Sequence, residues 1–99
     1  MSDELRKLRE ASAKNLLNTL KKYNVSTEYA FILLIAAGHT IIDRHTVCER
    51  MKKDGMDITD SNAGVALHRL KERGLIRSDN DGGYSLTAVG KRFLKEMFD

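Results

Sequence analysis

The 99-residue chain has no proline and no tryptophan, and it contains a single cysteine. Without proline, no helix is interrupted by a proline ring, and no proline-rich linker separates modules. Three Phe and three Tyr are its only aromatic residues, so the core must be largely aliphatic, which suits packed helices. Because Cys48 has no second cysteine to pair with inside the chain, a reducing, cytoplasmic setting is expected.

Long apolar runs and the motifs of enzymes are missing too. The longest apolar run, residues 29–37, is too short to span a bilayer, and residues 1–20 show no signal-peptide pattern. No Ser-His-Asp grouping or glycine-rich phosphate loop is present, so neither catalysis nor a cofactor is expected. His39, His45 and Cys48 lack the spacing typical of a zinc site, and no metal is expected, although a metal-responsive or redox-sensing role stays open.

The charge and the length set the scale of the protein. A formal net charge of +3 and a pI of about 9.1 permit nucleic-acid binding without requiring it. A chain of this length fits one domain over residues 1–99. Within it we expect an N-terminal helix over 3–23, a core over 27–86 and a C-terminal helix over 87–98.

Polar capping residues predict where the central helices begin. Ser26 or Thr27 is expected to cap a helix over 28–37, and Gly38 to end it. That helix is apolar on every side, which is typical of a helix buried on every side. The segment over residues 39–42 is short and rich in β-branched side chains. It is long enough for a single β-bridge.

The same pattern repeats twice in the following segment. Asp43 is expected to cap a helix over 44–54, and Thr59 a helix over 60–73 that ends at Gly74. The tight turn between these two helices is typical of a helix-turn-helix, whose second helix enters the DNA major groove. The sequence therefore predicts a reading helix over 60–73.

A glycine-rich hairpin follows that helix. Strands are expected over 75–78 and 83–86 around Asp79-Asn80-Asp81-Gly82-Gly83, residues that tolerate turn conformations. Thr87 is then expected to cap a last helix whose apolar stripe comprises Val89, Phe93, Leu94, Met97 and Phe98.

The helix over 60–73 shows the two dissimilar faces that DNA reading requires. Its buried stripe is predicted to be Ala63, Ala66, Leu67 and Leu70. Its base-reading face is predicted to be Ser61, Asn62, Val65, His68 and Arg69. Asn62 suits adenine, Arg69 guanine and Val65 a thymine methyl, while Gly64 is expected to permit a close backbone approach. Phosphate contacts are predicted for Arg44, Lys52, Lys53, Lys71, Arg73 and Arg77.

Three segments carry a resemblance to a known family: Ile58-Thr59-x-Ser61, Arg73-Gly74-Leu75-Ile76 and Tyr84-Ser85-Leu86-Thr87-x-x-Gly90-Lys91. Together they resemble winged helix-turn-helix regulators of the MarR and PadR type, including archaeal ones, over residues 27–98. The resemblance implies a mainly α fold with a small β-hairpin, in which the winged helix-turn-helix carries additional N- and C-terminal helices. It also implies a homodimer on double-stranded DNA, commonly a repressor acting at a pseudo-palindromic operator.

The terminal helices carry more apolar residues than a small core needs, which favours a two-fold interface. The residues predicted for that interface are Leu5, Leu8, Leu16, Phe93, Met97 and Phe98. A small-molecule effector, if there is one, would bind at the dimer cleft. At the hairpin tip Asp79 and Asp81 would repel phosphate, so a winged helix that binds another protein and does not read DNA is the alternative.

Overall fold

The computed structural model describes residues 13–39, 41–79 and 82–98. In this part of the chain there are five helices and one hairpin: α1 (Ala13–Tyr23), α2 (Thr27–Ala37), α3 (Arg44–Lys53), α4 (Asp60–Glu72), β1 (Ile76–Ser78), β2 (Tyr84–Leu86) and α5 (Ala88–Phe98). The mainly helical class with a small antiparallel hairpin is confirmed. For the predicted helix over 3–23, residues 3–12 lie outside the described part of the chain.

Helix α2 forms the centre of the molecule. Residues 30–36 are all buried, as the uniformly apolar sequence predicts. Ser26 is the N-cap, and its hydroxyl accepts a hydrogen bond from the Tyr29 amide at 3.2 Å. Gly38 ends the helix with a φ of −88°, so the helix ends there without a left-handed residue.

The hairpin is joined to the helices through one further segment. Ile76 pairs with Leu86 and Ser78 with Tyr84 in an antiparallel register. Tyr84 also pairs with Ile42, and their backbone hydrogen bonds measure 2.7 and 2.8 Å. The predicted bridge between α2 and α3 is therefore confirmed, and it fixes the hairpin beside the start of α3.

Helix α5 closes the core against α1 and α2. The Phe93 ring meets the Tyr23 ring edge-on, with 5.2 Å between their centroids. Phe93 and Met97 are fully buried within the single chain, while Val89 and Phe98 lie at the surface. Of the predicted apolar stripe of α5, Val89 and Phe98 therefore do not join the core of the single chain, because Gly90 and not Val89 faces the β1 entry at Leu75.

This packing corrects part of the predicted dimer interface. Because Phe93 and Met97 expose no side-chain surface, neither is available to a second protomer. Phe98 is 41% exposed and Leu16 is partly buried, so both retain surface that a partner can reach. Leu5 and Leu8 lie outside the described residues.

Candidate nucleic-acid interface

A tight turn sets α4 against α3. Gly55 adopts a φ of 82° after α3, and the Met56 amide donates to the Met51 carbonyl at 2.9 Å. This left-handed residue with its backward hydrogen bond is a standard way to end a helix sharply. The buried Cys48 thiol then donates to the Ile58 carbonyl at 3.3 Å, which ties the second half of the turn to α3.

The N-terminus of helix α4 and the face that it packs against the core are as its sequence predicts. The Thr59 hydroxyl caps it by accepting from the Asn62 amide at 3.1 Å. The apolar stripe that seats it in the core is confirmed as Ala63, Ala66, Leu67 and Leu70. A helical period of 3.6 residues places Ser61, Val65 and His68 opposite that stripe. All three are exposed, Val65 by 46%.

Four of the five predicted base-reading residues line one open groove beside the hairpin. Ser61, Val65 and His68 lie along its α4 wall, and Arg69 borders it. Arg44 and His45, from the first turn of α3, lie on one side, and the hairpin supplies the other through Gly82 and Tyr84. The groove is thus framed by a helix N-terminus, an exposed helix face and a hairpin.

Asn62 and Arg69 lie towards the opposite flank of α4. Both line a cavity against α2 that includes Tyr29 and Met56, although Arg69 also borders the groove beside the hairpin. The Arg69 Nη1 atom donates to the Tyr29 hydroxyl at 3.3 Å. Arg73 approaches the same ring, with its guanidinium carbon 5.7 Å from the centroid. Of the five predicted base readers, only Asn62 therefore lies away from the groove beside the hairpin, while Val65 and Arg69 border both cavities.

The predicted phosphate-binding cations are spread over the molecule. Arg44 borders the groove beside the hairpin, whereas Lys52 and Lys53 are exposed at the far end of α3, about 15 Å along a ten-residue helix. Lys71 and Arg73 are exposed at the end of α4. Arg77 lies apart from all of them.

The hairpin separates Arg77 from the groove. Side chains alternate between the faces of a strand, so Arg77 and its cross-strand partner Ser85 lie on the face opposite Tyr84. The Arg77 Nε atom donates to the Ser85 hydroxyl at 3.2 Å. Arg77 is therefore not among the cations that frame the exposed face of α4.

The sequence interpretation missed two carboxylates that line the groove. Asp43 was identified as a helix cap, which is confirmed by its 2.7 Å hydrogen bond from the Thr46 amide, but its carboxylate also borders the groove. That amide holds the pKa of Asp43 below its usual range, so the carboxylate is charged at neutral pH. Glu72 lies beside His68, with 2.6 Å between Glu72 Oε1 and His68 Nε2. The four-residue spacing of His68 and Glu72 was the signal available for this pair.

Two further sequence interpretations concern Gly64 and Cys48. A methyl group on Gly64 would meet only the Arg44 Cδ atom, at 3.7 Å, so no contact within the chain requires a glycine there. Burial raises the pKa of the Cys48 thiol, which is the opposite of an activated thiol. Within residues 13–39, 41–79 and 82–98, no group of three metal-ligating side chains comes together.

None of the helices in the described part of the chain is long and apolar enough to cross a membrane. No protein-family model matches the chain, and searches of curated proteins and of solved structures give no match.

Proposed function

We propose that the chain is a winged helix-turn-helix protein that binds double-stranded DNA as a homodimer and regulates transcription. The observation that carries the proposal is the groove in which α4 exposes Ser61, Val65 and His68 between the start of α3 and the hairpin. In this proposal α3 and α4 are the helix-turn-helix and the hairpin is the wing. The resemblance to regulators of the MarR and PadR type gives the same assignment.

The link between Ile42 and Tyr84 supports the winged-helix assignment. A wing is useful only if its position relative to the reading helix is fixed. The two backbone hydrogen bonds between these residues fasten the hairpin to the segment that enters α3. The position of the hairpin relative to α3 and α4 is thereby fixed.

The exposed face of α4 offers short side chains suited to base edges. The Ser61 hydroxyl can donate to or accept from a base, and Val65 can contact a thymine methyl. His68 presents a ring nitrogen from the next turn, at present paired with Glu72. Asn62 reaches base edges from the α2 flank, whereas Arg69 suits a backbone phosphate because Tyr29 holds it at the edge of the helix.

The electrostatics favour a contact centred on α4 and not on the wing. Arg69 and Arg73 provide positive charge on one side of α4, and Arg44 provides it on the other. The described part of the wing tip contributes Asp79, whose charge repels phosphate. We therefore place the phosphate contacts at the ends of α3 and α4.

The homodimer in this proposal uses α1 and α5. Leu17 is 66% exposed and Phe98 is 41% exposed, which leaves large apolar side chains on both terminal helices. A two-fold axis through these helices would present two copies of α4 about one DNA turn apart. Leu16 remains at the edge of this surface, while Phe93 and Met97 stabilise each protomer from within.

One observation favours a protein-binding module instead. The ionisable residues that line the groove are Asp43, Arg44, His45, His68, Arg69 and Glu72. At neutral pH the two carboxylates balance the two guanidiniums, and such a balanced face suits a partner of mixed charge. A DNA contact must therefore draw its net attraction from residues outside this groove.

Selection from a random duplex library, followed by fluorescence anisotropy, tests the proposal. We expect a recurrent motif with two half-sites and an affinity that falls steeply as salt increases. Ser61→Ala and His68→Ala should each change the selected motif, and each change should occur at equivalent positions of the two half-sites. Lys95→Ala, an exposed change on α5, should leave the motif intact. Failure to select any motif, together with a shallow salt dependence, would contradict DNA reading and favour the protein-binding module.

A further inference from the structure

A second cavity lies on the far side of the hairpin from the groove. The end of α2 forms one wall of it, and the outer face of the hairpin and the first turns of α5 form the others. Its lining includes His39, Arg77, Ser85, Leu86, Lys91 and Leu94. At about 430 Å³ it falls within the range of small-molecule sites.

The polar side of this cavity is cationic. Arg77 and Lys91 both line it, and no carboxylate does so within the described residues. Because the Arg77 Nε atom is tied to the Ser85 hydroxyl at 3.2 Å, the guanidinium is positioned while its terminal nitrogens remain for a ligand. In the described part of the chain, Lys91 has no hydrogen bond or ion pair from its ammonium group. Positive charge is thus concentrated here without a carboxylate beside it among the described residues.

The opposite side of the cavity is apolar. Leu86 and Leu94 contribute aliphatic surface, and Ala36 and Ala37 add small side chains at the end of α2. An inorganic anion would satisfy the cations but leave this surface in contact with water. A ligand that covers both sides needs a negative group joined to an apolar body.

From this juxtaposition we infer that the cavity is a binding site for a small organic carboxylate with an apolar body of about four to eight carbons. The carboxylate contacts Arg77 and Lys91 and accepts the free hydroxyl proton of Ser85, while the apolar body lies on Leu86 and Leu94. The inference is independent of the proposed DNA function, because the site lies across the hairpin from α4.

Titration of the ¹⁵N-labelled protein with sodium hexanoate at constant ionic strength tests this site. We expect saturable amide shifts confined to the hairpin, the end of α2 and the start of α5, with a Kd on the order of 1 mM for so small a ligand. Hexanamide, which keeps the apolar body without the charge, should bind at least about fivefold more weakly. Inorganic phosphate should also bind at least about fivefold more weakly, because it lacks the apolar body.

Two variants separate the site from general charge attraction. Arg77→Gln and Lys91→Gln should each raise the hexanoate Kd at least about fivefold, whereas Lys53→Gln, an exposed change on α3, should leave it unchanged. The Lys91 side chain makes no hydrogen bond within the described residues, so Lys91→Gln removes none of the hydrogen bonds that stabilise this part of the chain. This variant therefore tests the site even if Arg77→Gln disturbs the hairpin. Equal binding of hexanamide or phosphate, or shifts that do not saturate by 20 mM, taken as about twenty times the expected Kd, would overturn the inference.

Discussion

The Nη1 atom of Arg69 lies 3.3 Å from the hydroxyl oxygen of Tyr29 and donates a hydrogen bond to it. One helical turn further on, the Arg73 guanidinium lies over the same ring at 5.7 Å. Two cations at the end of α4 therefore meet a single tyrosine of α2. A separate surface groove between α1, α2 and α4 is lined by both of them, by Lys21 of α1 and by one carboxylate, that of Glu28. This cluster of positive groups on three helices is suited to a sugar-phosphate backbone that passes along the flank of α4.

The position of Arg69 leads to a prediction about specificity. We expect Arg69→Ala to weaken binding to the selected motif and to random duplex by a similar factor, roughly tenfold, because phosphate contacts carry no sequence information. The slope of log affinity against log salt should fall by about one unit. Anisotropy titrations on both duplexes between low and moderate salt measure these quantities. Loss of affinity for the selected motif alone would assign Arg69 to a base instead.

Tyr29→Phe provides the matched control for this cluster. It removes only the hydroxyl that accepts from Arg69 and leaves the ring beneath Arg73. The fold should be unchanged, and the loss of affinity should be smaller than that of Arg69→Ala, because the cation is released but not removed.

Asp43 allows the capping role to be separated from its charge. Asn caps helices about as well as Asp, so Asp43→Asn should keep the stability of α3 within a few tenths of a kcal/mol, roughly the scatter among good caps. The change removes a negative charge from the groove beside Ser61 and His68. DNA affinity should therefore rise several-fold at low salt, an effect of about 1 kcal/mol that shrinks as salt increases.

Asp43→Ala is the companion variant. It removes the charge together with the hydrogen bond to the Thr46 amide, so the free energy of unfolding should fall by about 1 kcal/mol. Thermal melts and anisotropy on both variants distinguish the two effects. An Asp43→Asn protein with unchanged DNA affinity at low salt would show that no phosphate approaches this end of α3.

The local features of the fold were predictable because their causes are local. The caps Asp43 and Thr59 each bond an amide three residues ahead, which a short sequence window contains. The same holds for Thr87, whose hydroxyl accepts from the Gly90 amide at 3.1 Å. The burial of α2 also followed from its composition, since a helix without a polar face must be enclosed.

Which face of each helix packs against its neighbours could not be predicted from the sequence in the same detail. Periodicity shows which residues of a helix share a side, but not where its neighbours pack. Phe93 and Phe98 both fit an apolar stripe of α5, and only the approach of α1 and α2 makes one of them interior. In the same way, the flank to which Arg69 points depends on Tyr29, forty residues away in sequence. Long-range packing decided both positions.

The Lys22–Glu96 ion pair predicts a dependence on acid. The Lys22 ammonium donates to Glu96 Oε1 at 2.9 Å, and this hydrogen bond holds the pKa of Glu96 below its ordinary value of 4.5. A carboxyl with a lowered pKa in the folded state stabilises the fold above its unfolded pKa, and that contribution is lost as the pH falls through the folded pKa. The contact between α1 and α5 should therefore weaken as the pH falls below 4.5 and Glu96 becomes protonated.

A double-mutant cycle isolates this contribution from general acid denaturation. Lys22→Gln, Glu96→Gln and the double variant should show a favourable coupling in thermal melts at pH 7 and a smaller one at pH 3. Both side chains remain partly exposed, so salt should reduce the coupling at pH 7. A coupling of the same size at both pH values would show that the charge on Glu96 is not its source.

Two glycines give opposite predictions for the same substitution. A methyl group on Gly90 would overlap the Leu75 carbonyl oxygen and come within 3.0 Å of Leu86 Cγ. Gly90→Ala should therefore force α5 away from the start of the hairpin and cost about 1–3 kcal/mol. At Gly64 the nearest atom to such a methyl is the flexible Arg44 Cδ, at 3.7 Å, in the middle of α4. Gly64→Ala should instead stabilise the protein by about 0.5–1 kcal/mol, because alanine favours the helix.

Urea denaturation of both variants measures the two effects, and DNA binding gives a second result for Gly64. Its position lines the groove beside Ser61 and His68, so a methyl there stands where a base edge or the backbone would approach. The Gly64→Ala protein should be more stable and yet bind the selected duplex more weakly, a separation of stability from affinity that places the ligand on this face. A variant that gains stability without losing affinity would show that α4 does not approach DNA through its Gly64 side.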